Sequence, residues 1–313
     1  MSIWNQIREE FQNAQHKDIR MKYAKAVTRI TQRNLVIYAS EFTSGSRPSQ
    51  LSSLSPDDKI FFGDAIRGLD PNKGIDILIE SPGGVAEVAE AIAKMLWSTF
   101  PSVRFIVPNM AKSAATLLVL SGEKILMDEQ SELGPIDPQM PVRQPNGEIR
   151  YSPAHLIIQQ FQTLLGTVAQ HPIVGQRLAP YLQIYFPSLL QECQNAIELS
   201  KRISKELLLN YMFKTVENAR LKADRISSEL GEFKNFLSHG RAINIEEAKS
   251  LGLEIYDLRE DAKLRDAVNR LFFSVKETFN RNQGMIKICE NSQGHGTVLQ
   301  MQVGIIPSPL PPL

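Results

Sequence analysis

Apolar positions recur along this chain in two rhythms. Short runs that are apolar almost throughout, Leu35 to Ala39, Ile75 to Glu80, Val103 to Val107 and Lys124 to Met127, read as buried strands. Between them lie segments with helical spacing. Pro56 to Leu69 opens on Ser55 as a cap, proline in the first turn and two aspartates, Asp57 and Asp58, that favour the helix dipole. Val85 to Trp97 carries Val88, Ile92, Met95 and Leu96 on one face, and Lys112 to Leu120 is apolar almost all round. Strand and helix alternating at these intervals predict parallel βαβ units with helices covering the sheet.

The flanks follow other patterns. Residues 1–33 form a domain of their own in this reading, an amphipathic helix with Ile3, Ile7 and Phe11, then Tyr23, Val27 and Ile30 at helical spacing. It serves either as a docking arm or as a helix packed on its own domain. Residues 34–140 hold the α/β core, with a Ser-, Thr- and Pro-rich loop over 40–56. A turn-rich connection at 141–150 leads into a helical region that completes the domain to 285, with helices over 153–170, 175–190, 195–222 and 245–251. Residues 286–313 read as a tail, proline-rich at its end.

Composition narrows the function classes. With 313 residues, 42% of them hydrophobic, the chain can bury a large core without a disulfide or structural metal. Thirty-five basic residues against 34 acidic ones offer nothing to nucleic acid or to an anionic membrane surface. Cys193 and Cys289 stand far apart and outside any CxxC spacing, so a zinc site of the usual kind is not expected, and neither is a cofactor. Charges occupy the first ten residues where a signal peptide needs an apolar run, and the longest apolar run, Ala114 to Leu120, is too short for a membrane span. A cytoplasmic, unanchored protein with reduced thiols is the expectation.

Two motifs are candidates for chemistry. Glu80-Ser-Pro-Gly-Gly-Val85 follows a buried strand and opens a helix, where Gly83 and Gly84 let the backbone aim amides at an anion. The segment lacks both the P-loop and the dinucleotide-binding patterns, and a tight ligand-free turn is the alternative. Pro108-Asn-Met-Ala-Lys-Ser-Ala-Ala-Thr116 places Ser113 at the start of an apolar helix after a strand, as a nucleophile is presented, with the Ala114 amide as a second oxyanion donor. Helix capping is the alternative role for Ser113. Both motifs end successive βα units, so both fall at the C-terminal edge of one parallel sheet, where α/β sites form.

Together the motifs resemble the Clp-protease and signal peptide peptidase A class of serine peptidases. Ser-Glu-Leu-Gly-Pro-Ile-Asp-Pro-Gln (131–139) and Ser-His-Gly-Arg-Ala-Ile-Asn-Ile-Glu-Glu-Ala-Lys-Ser-Leu-Gly-Leu (238–253) narrow the resemblance to the serine dehydrogenase proteinase family, over residues 20–255. It implies the Clp/crotonase fold, a peptide or protein substrate, assembly into a homo-oligomer, and a triad in the order Ser-Asp-His. The histidine that the Clp subunit carries about 25 residues after its nucleophile is missing here. Among Asp128, Asp137 and Asp224, Asp137 sits in the matching motif and is the expected orienting carboxylate; His239 is the expected base. His155 remains an alternative base. A Ser-Lys dyad through Lys112, Lys201 or Lys205 is another rival. The leading expectation is a serine endopeptidase acting through an acyl-enzyme on Ser113. The rivals are a catalytically silent scaffold of the same fold and a crotonase-like acyl-CoA enzyme.

Overall fold

A computed structural model describes residues 2–12, 14–43, 49–143, 147–182, 185–186 and 188–301. Helices α1 (Ile3–Glu10) and α2 (His16–Thr31) precede strand β1 (Asn34–Ser40). There follow α3 (Ser49–Ser52), α4 (Pro56–Ala65), β2 (Ile75–Glu80), α5 (Ala86–Thr99), β3 (Val103–Val107), β4 (Met110–Ala111) and α6 (Ala114–Val119). Next come β5 (Lys124–Met127), β6 (Glu132–Leu133), the pair β7 (Gln139–Arg143) and β8 (Ile149–Pro153), then α7 (Ala154–Gln170), α8 (Pro172–Leu182) and α9 (Leu189–Leu207), which runs into a π-helical turn at Leu208–Met212. The chain closes with α10 (Ala219–Gly231), α11 (Phe233–Phe236), α12 (Ile245–Leu251), β9 (Ile255–Asp257), α13 (Ala262–Arg281), β10 (Met285–Asn291) and β11 (Gly296–Gln300).

Seven of these strands form one sheet in the order β11-β10-β1-β2-β3-β5-β9. From β1 to β9 all pairs are parallel; β10 joins β1 antiparallel, and β11 joins β10 in the same way. The run of apolar residues in each parallel strand follows from burial on both faces. Side chains alternate across the sheet. Val36, Tyr38, Ile77, Ile79, Phe105, Val107 and Met127 pack toward α4, α5, α6, α9, α10 and α12, whereas Leu35, Ile37, Leu78, Ile106 and Leu126 pack toward α1, α2 and α13. The expected mixed α/β architecture is what the chain adopts.

Boundaries differ in instructive ways. The single helix expected over 1–33 is two, and both lie on the sheet through Ile7, Ile19, Tyr23 and Val27, so this segment is a packed layer of the domain. Of the connection expected at 141–150, residues 141–143 and 149–150 pair in the antiparallel β7–β8 ladder. Residues 286–300, expected as tail, supply β10 and β11; all seven residues of β10 are buried. The proline-rich end lies outside the described residues.

Candidate active site

The expected nucleophile, oxyanion turn and base stand on neighbouring strands that a row of short bridges holds in register. Ser81 pairs with Ala111, Ala111 with Leu133, and Leu133 with Ile243. Main-chain bonds fasten each step: Ser81 N–H to the Met110 carbonyl (3.0 Å), Lys112 N–H to the Ser81 carbonyl (3.0 Å), and reciprocal bonds of 2.9 and 3.0 Å between Leu133 and Ile243. Each segment of this row leads to expected site residues a few positions away. Ser81 precedes Gly83 and Gly84, Ala111 precedes Ser113, Leu133 precedes Asp137, and Ile243 follows His239. The site is thus assembled from loops on one rigid edge.

Ser113 occupies the residue before α6 with φ 51° and ψ −120°, a conformation L-residues rarely adopt. Its side chain makes no capping bond, so the alternative role as a helix cap is not the one this structure shows. The strain is held by the turn beside it. At Gly83, φ 95°, a Cβ would lie 2.7 Å from the Ser113 Cβ and 2.9 Å from the Ala114 nitrogen, so only glycine lets the two turns touch. At Gly84 a Cβ would lie 2.2 Å from the Leu54 carbonyl oxygen. Leu54 clamps the turn from the far side: its N–H donates to the Gly83 carbonyl (2.6 Å), and its carbonyl accepts from Val85 N–H (3.0 Å).

This clamp sorts the amides. The Gly83 N–H donates to Ser81 Oγ (3.2 Å) and is therefore engaged. Among the described residues the amides of Gly84 and Ala114 have no partner. Of the two glycines of the turn, only Gly84 therefore keeps its N–H unengaged, as Ala114 does beside it. The N-terminus of α5, fourteen residues long, begins just beyond and adds partial positive charge.

Asp137 and His239, 102 positions apart in sequence, meet at 2.7 Å between Oδ1 and Nδ1. The Asp137 carboxyl group is buried at 1% exposure and His239 stands 28% exposed, so the ring reaches solvent while the carboxyl group bonded to it does not. The second oxygen of Asp137 accepts from the Gln139 side-chain amide at 2.8 Å. Two further bonds hold this stretch: the Ile136 N–H donates to the Leu230 carbonyl (3.0 Å), and Ser200 Oγ donates to the Ile136 carbonyl (2.7 Å). Ser113, Ala114, Gly83, Gly84 and His239 line one pocket of about 610 Å³, walled by Leu117, Ile136, Met140, Tyr151 and Leu199. Ser113 and His239 are not hydrogen-bonded to each other; such contacts often close only around substrate.

The rival bases are placed elsewhere. His155 Nε2 lies 3.2 Å from the Gly231 carbonyl. Lys112 bonds Glu132 (2.7 Å) and the Leu133 carbonyl (3.2 Å), Lys201 pairs with Glu232 and Lys205 with Asp224. Asp128 is held by Arg265. Among the described residues no lysine lines the pocket.

Residues 54–151 match the family of ClpP-like SDH-type serine proteinases. The matched span runs from the Leu54 clamp through the glycine turn, Ser113 and Asp137 to Tyr151 of β8, and the resemblance read from the sequence holds for it. An uncharacterized protein of Methanocaldococcus jannaschii is 30% identical over 193 residues, covering 61% of this chain and 56% of that protein. A second uncharacterized protein of the same organism is 37% identical over 76 residues, 24% of this chain and 26% of that protein. The chain therefore spans about half the length of the first relative and about a quarter of the second. Two solved structures of the 1510-N membrane-bound stomatin-specific protease are each 18% identical. A serine-to-alanine mutant covers 74% of this chain and 81% of its own with a TM-score of 0.39. A lysine-to-alanine mutant in complex with a substrate peptide covers 72% and 73% with a TM-score of 0.33. Among the described residues of this chain no helix is long and apolar enough to cross a membrane, and no group of three or more His, Cys, Asp or Glu is placed to hold a metal ion.

Sequence reasoning did not single out Leu54, Gln139 or the β7–β8 hairpin. Leu54 and Gln139 act through main-chain and amide contacts that leave no compositional signal. The hairpin is exposed along much of its length, so it lacks the apolar run that marks the other strands.

Proposed function

We propose that this chain is a serine peptidase that cleaves peptide bonds through an acyl-enzyme on Ser113. The observation that carries the reading is a strained, uncapped Ser113 in one pocket with two unpartnered amides and the imidazole of an Asp–His pair. Ser113 Oγ attacks the scissile carbonyl carbon, and its proton passes to His239 Nε2. The carbonyl oxygen becomes an oxyanion that the Gly84 and Ala114 amides receive. The imidazolium, its charge stabilised by Asp137, gives the proton to the departing amine as the C–N bond breaks. Water, deprotonated by the same imidazole, then hydrolyses the ester and frees Ser113.

The pocket walls favour an extended peptide with an apolar side chain beside the scissile bond. Leu117, Ile136, Met140 and Leu199 offer no charge, and Glu87 is the carboxylate at the rim. Assembly as a homo-oligomer is part of the same reading. From Tyr151 to Gln191 the sequence carries a single charged residue, Arg177, while Leu165, Ile173, Val174 and Tyr181 are exposed on α7 and α8. Casein digestion tests the activity: the chain releases acid-soluble peptides and the Ser113→Ala chain does not. Equal release by both overturns the reading.

A further inference from the structure

We propose that Glu80 is a positioning residue that sets the spacing between the oxyanion turn and the nucleophile turn. This rests on Ser113 being the nucleophile. Glu80 is the last residue of β2, fully buried, and stands directly before the Ser81–Gly84 turn. Its two carboxyl oxygens reach across to the neighbouring segment: Oε1 accepts from Asn109 Nδ2 (2.8 Å) and Oε2 from the Met110 N–H (2.8 Å). That segment leads through β4 to Ser113, three residues beyond Met110. The two contacts lie at the head of the Ser81–Ala111 bridge, so Glu80 fastens the very pair of strands whose turns must hold a tetrahedral centre between them. A strained φ at Ser113 persists only where its surroundings over-determine it, and these bonds are part of that constraint.

The setting of Glu80 separates it from an ordinary ion pair. Among the described residues no cation lies within ion-pair distance. The charged groups that face it are Lys276 of α13, itself bonded to Glu41, and Glu132 of β6, itself bonded to Lys112. Burial pushes the carboxyl group up to about 7, against the lowering influence of the Met110 and Asn109 bonds. Both protonation states fit the same pocket. The carboxylate accepts from both donors. The acid accepts from Met110 N–H and donates to Asn109 once that amide turns over. Glutamine can copy the second arrangement; methionine, of similar length, copies neither.

Hydrolysis of p-nitrophenyl butyrate by the full chain tests this, with calorimetry confirming that each variant is folded. Wild-type turnover that disappears in Ser113→Ala establishes the nucleophile independently of Glu80. Glu80→Met is then expected to lower kcat about 10- to 100-fold with KM within about twofold, as for a misplaced oxyanion site. Glu80→Gln keeps kcat within about threefold. Asn109→Ala, at a half-exposed position, removes one of the two bonds and lowers kcat about 3- to 10-fold, so the test survives if Glu80→Met fails to fold. Wild-type kcat in folded Glu80→Met or Asn109→Ala overturns the positioning role, as does a rise in KM with kcat unchanged. Turnover that persists in Ser113→Ala overturns the reading of the site itself, and the positioning role with it.

Discussion

Two regions around the central sheet treat buried charge in opposite ways. At the seam of β1 and β10, each buried carboxylate has a cation. Arg20 grips Glu290 with two bonds, 2.6 and 3.1 Å, and Lys287 Nζ meets Asp58 at 2.7 Å, both pairs almost wholly out of water. At the edge of β2 and β4, Glu80 is equally buried yet meets only amides. The backbone follows the same division. Strand β10 is regular where it pairs with β1, whereas Ser113, Gly83 and Gly84 all sit at positive φ. The seam is built to stay in one state, because breaking a buried ion pair leaves a charge stranded. The edge stores strain and unmatched polarity beside a pocket, as expected where a fold carries chemistry.

The contrast yields separable outcomes. The largest effect belongs to the edge: Asp137→Asn leaves the fold intact and lowers casein turnover about 10³- to 10⁴-fold, because His239 loses the acceptor that fixes its tautomer. A loss below tenfold in steady-state assays would detach Asp137 from the chemistry. At the seam the prediction inverts. Arg20→Met strands Glu290 and costs about 3–5 kcal/mol in urea unfolding, while the protein that remains folded turns over at the wild-type rate. The smallest effect is a slope. Between pH 4.5 and about 7 folded Glu80 keeps a proton that the unfolded chain has released, so wild-type stability falls as pH rises through that window and levels off above it. Glu80→Gln removes this slope, so its stability relative to wild type improves by at most about 3 kcal/mol from pH 4 to pH 8. Urea titrations at those two pH values check this, and an unchanged difference between the two proteins would mean that the folded carboxyl group releases its proton together with that of the unfolded chain.

The same division explains what could be read from the sequence. The parallel strands were legible because burial on both faces leaves runs such as Ile75 to Glu80. Gly83, Gly84 and Ser113 were legible because they occupy the ends of those units. Strand β10 was not, since Met-Ile-Lys-Ile-Cys-Glu-Asn reads as mixed surface until Asp58 and Arg20 are seen to neutralise Lys287 and Glu290 from opposite sides of the sheet. The closeness of Asp137 and His239 rests on the Leu133–Ile243 bridge, a long-range contact with no periodic signal; only the family resemblance pointed to it. Glu80 was visible in its motif, but its role depends on where Asn109 and Met110 stand.

The central claim is that Ser113 is an activated nucleophile. Labelling of the full chain with a fluorophosphonate probe, followed by peptide mass mapping, tests it most directly. The account predicts a single adduct on Ser113, absent from Ser113→Ala. A folded chain that takes up no probe, or carries it on another serine, contradicts the account.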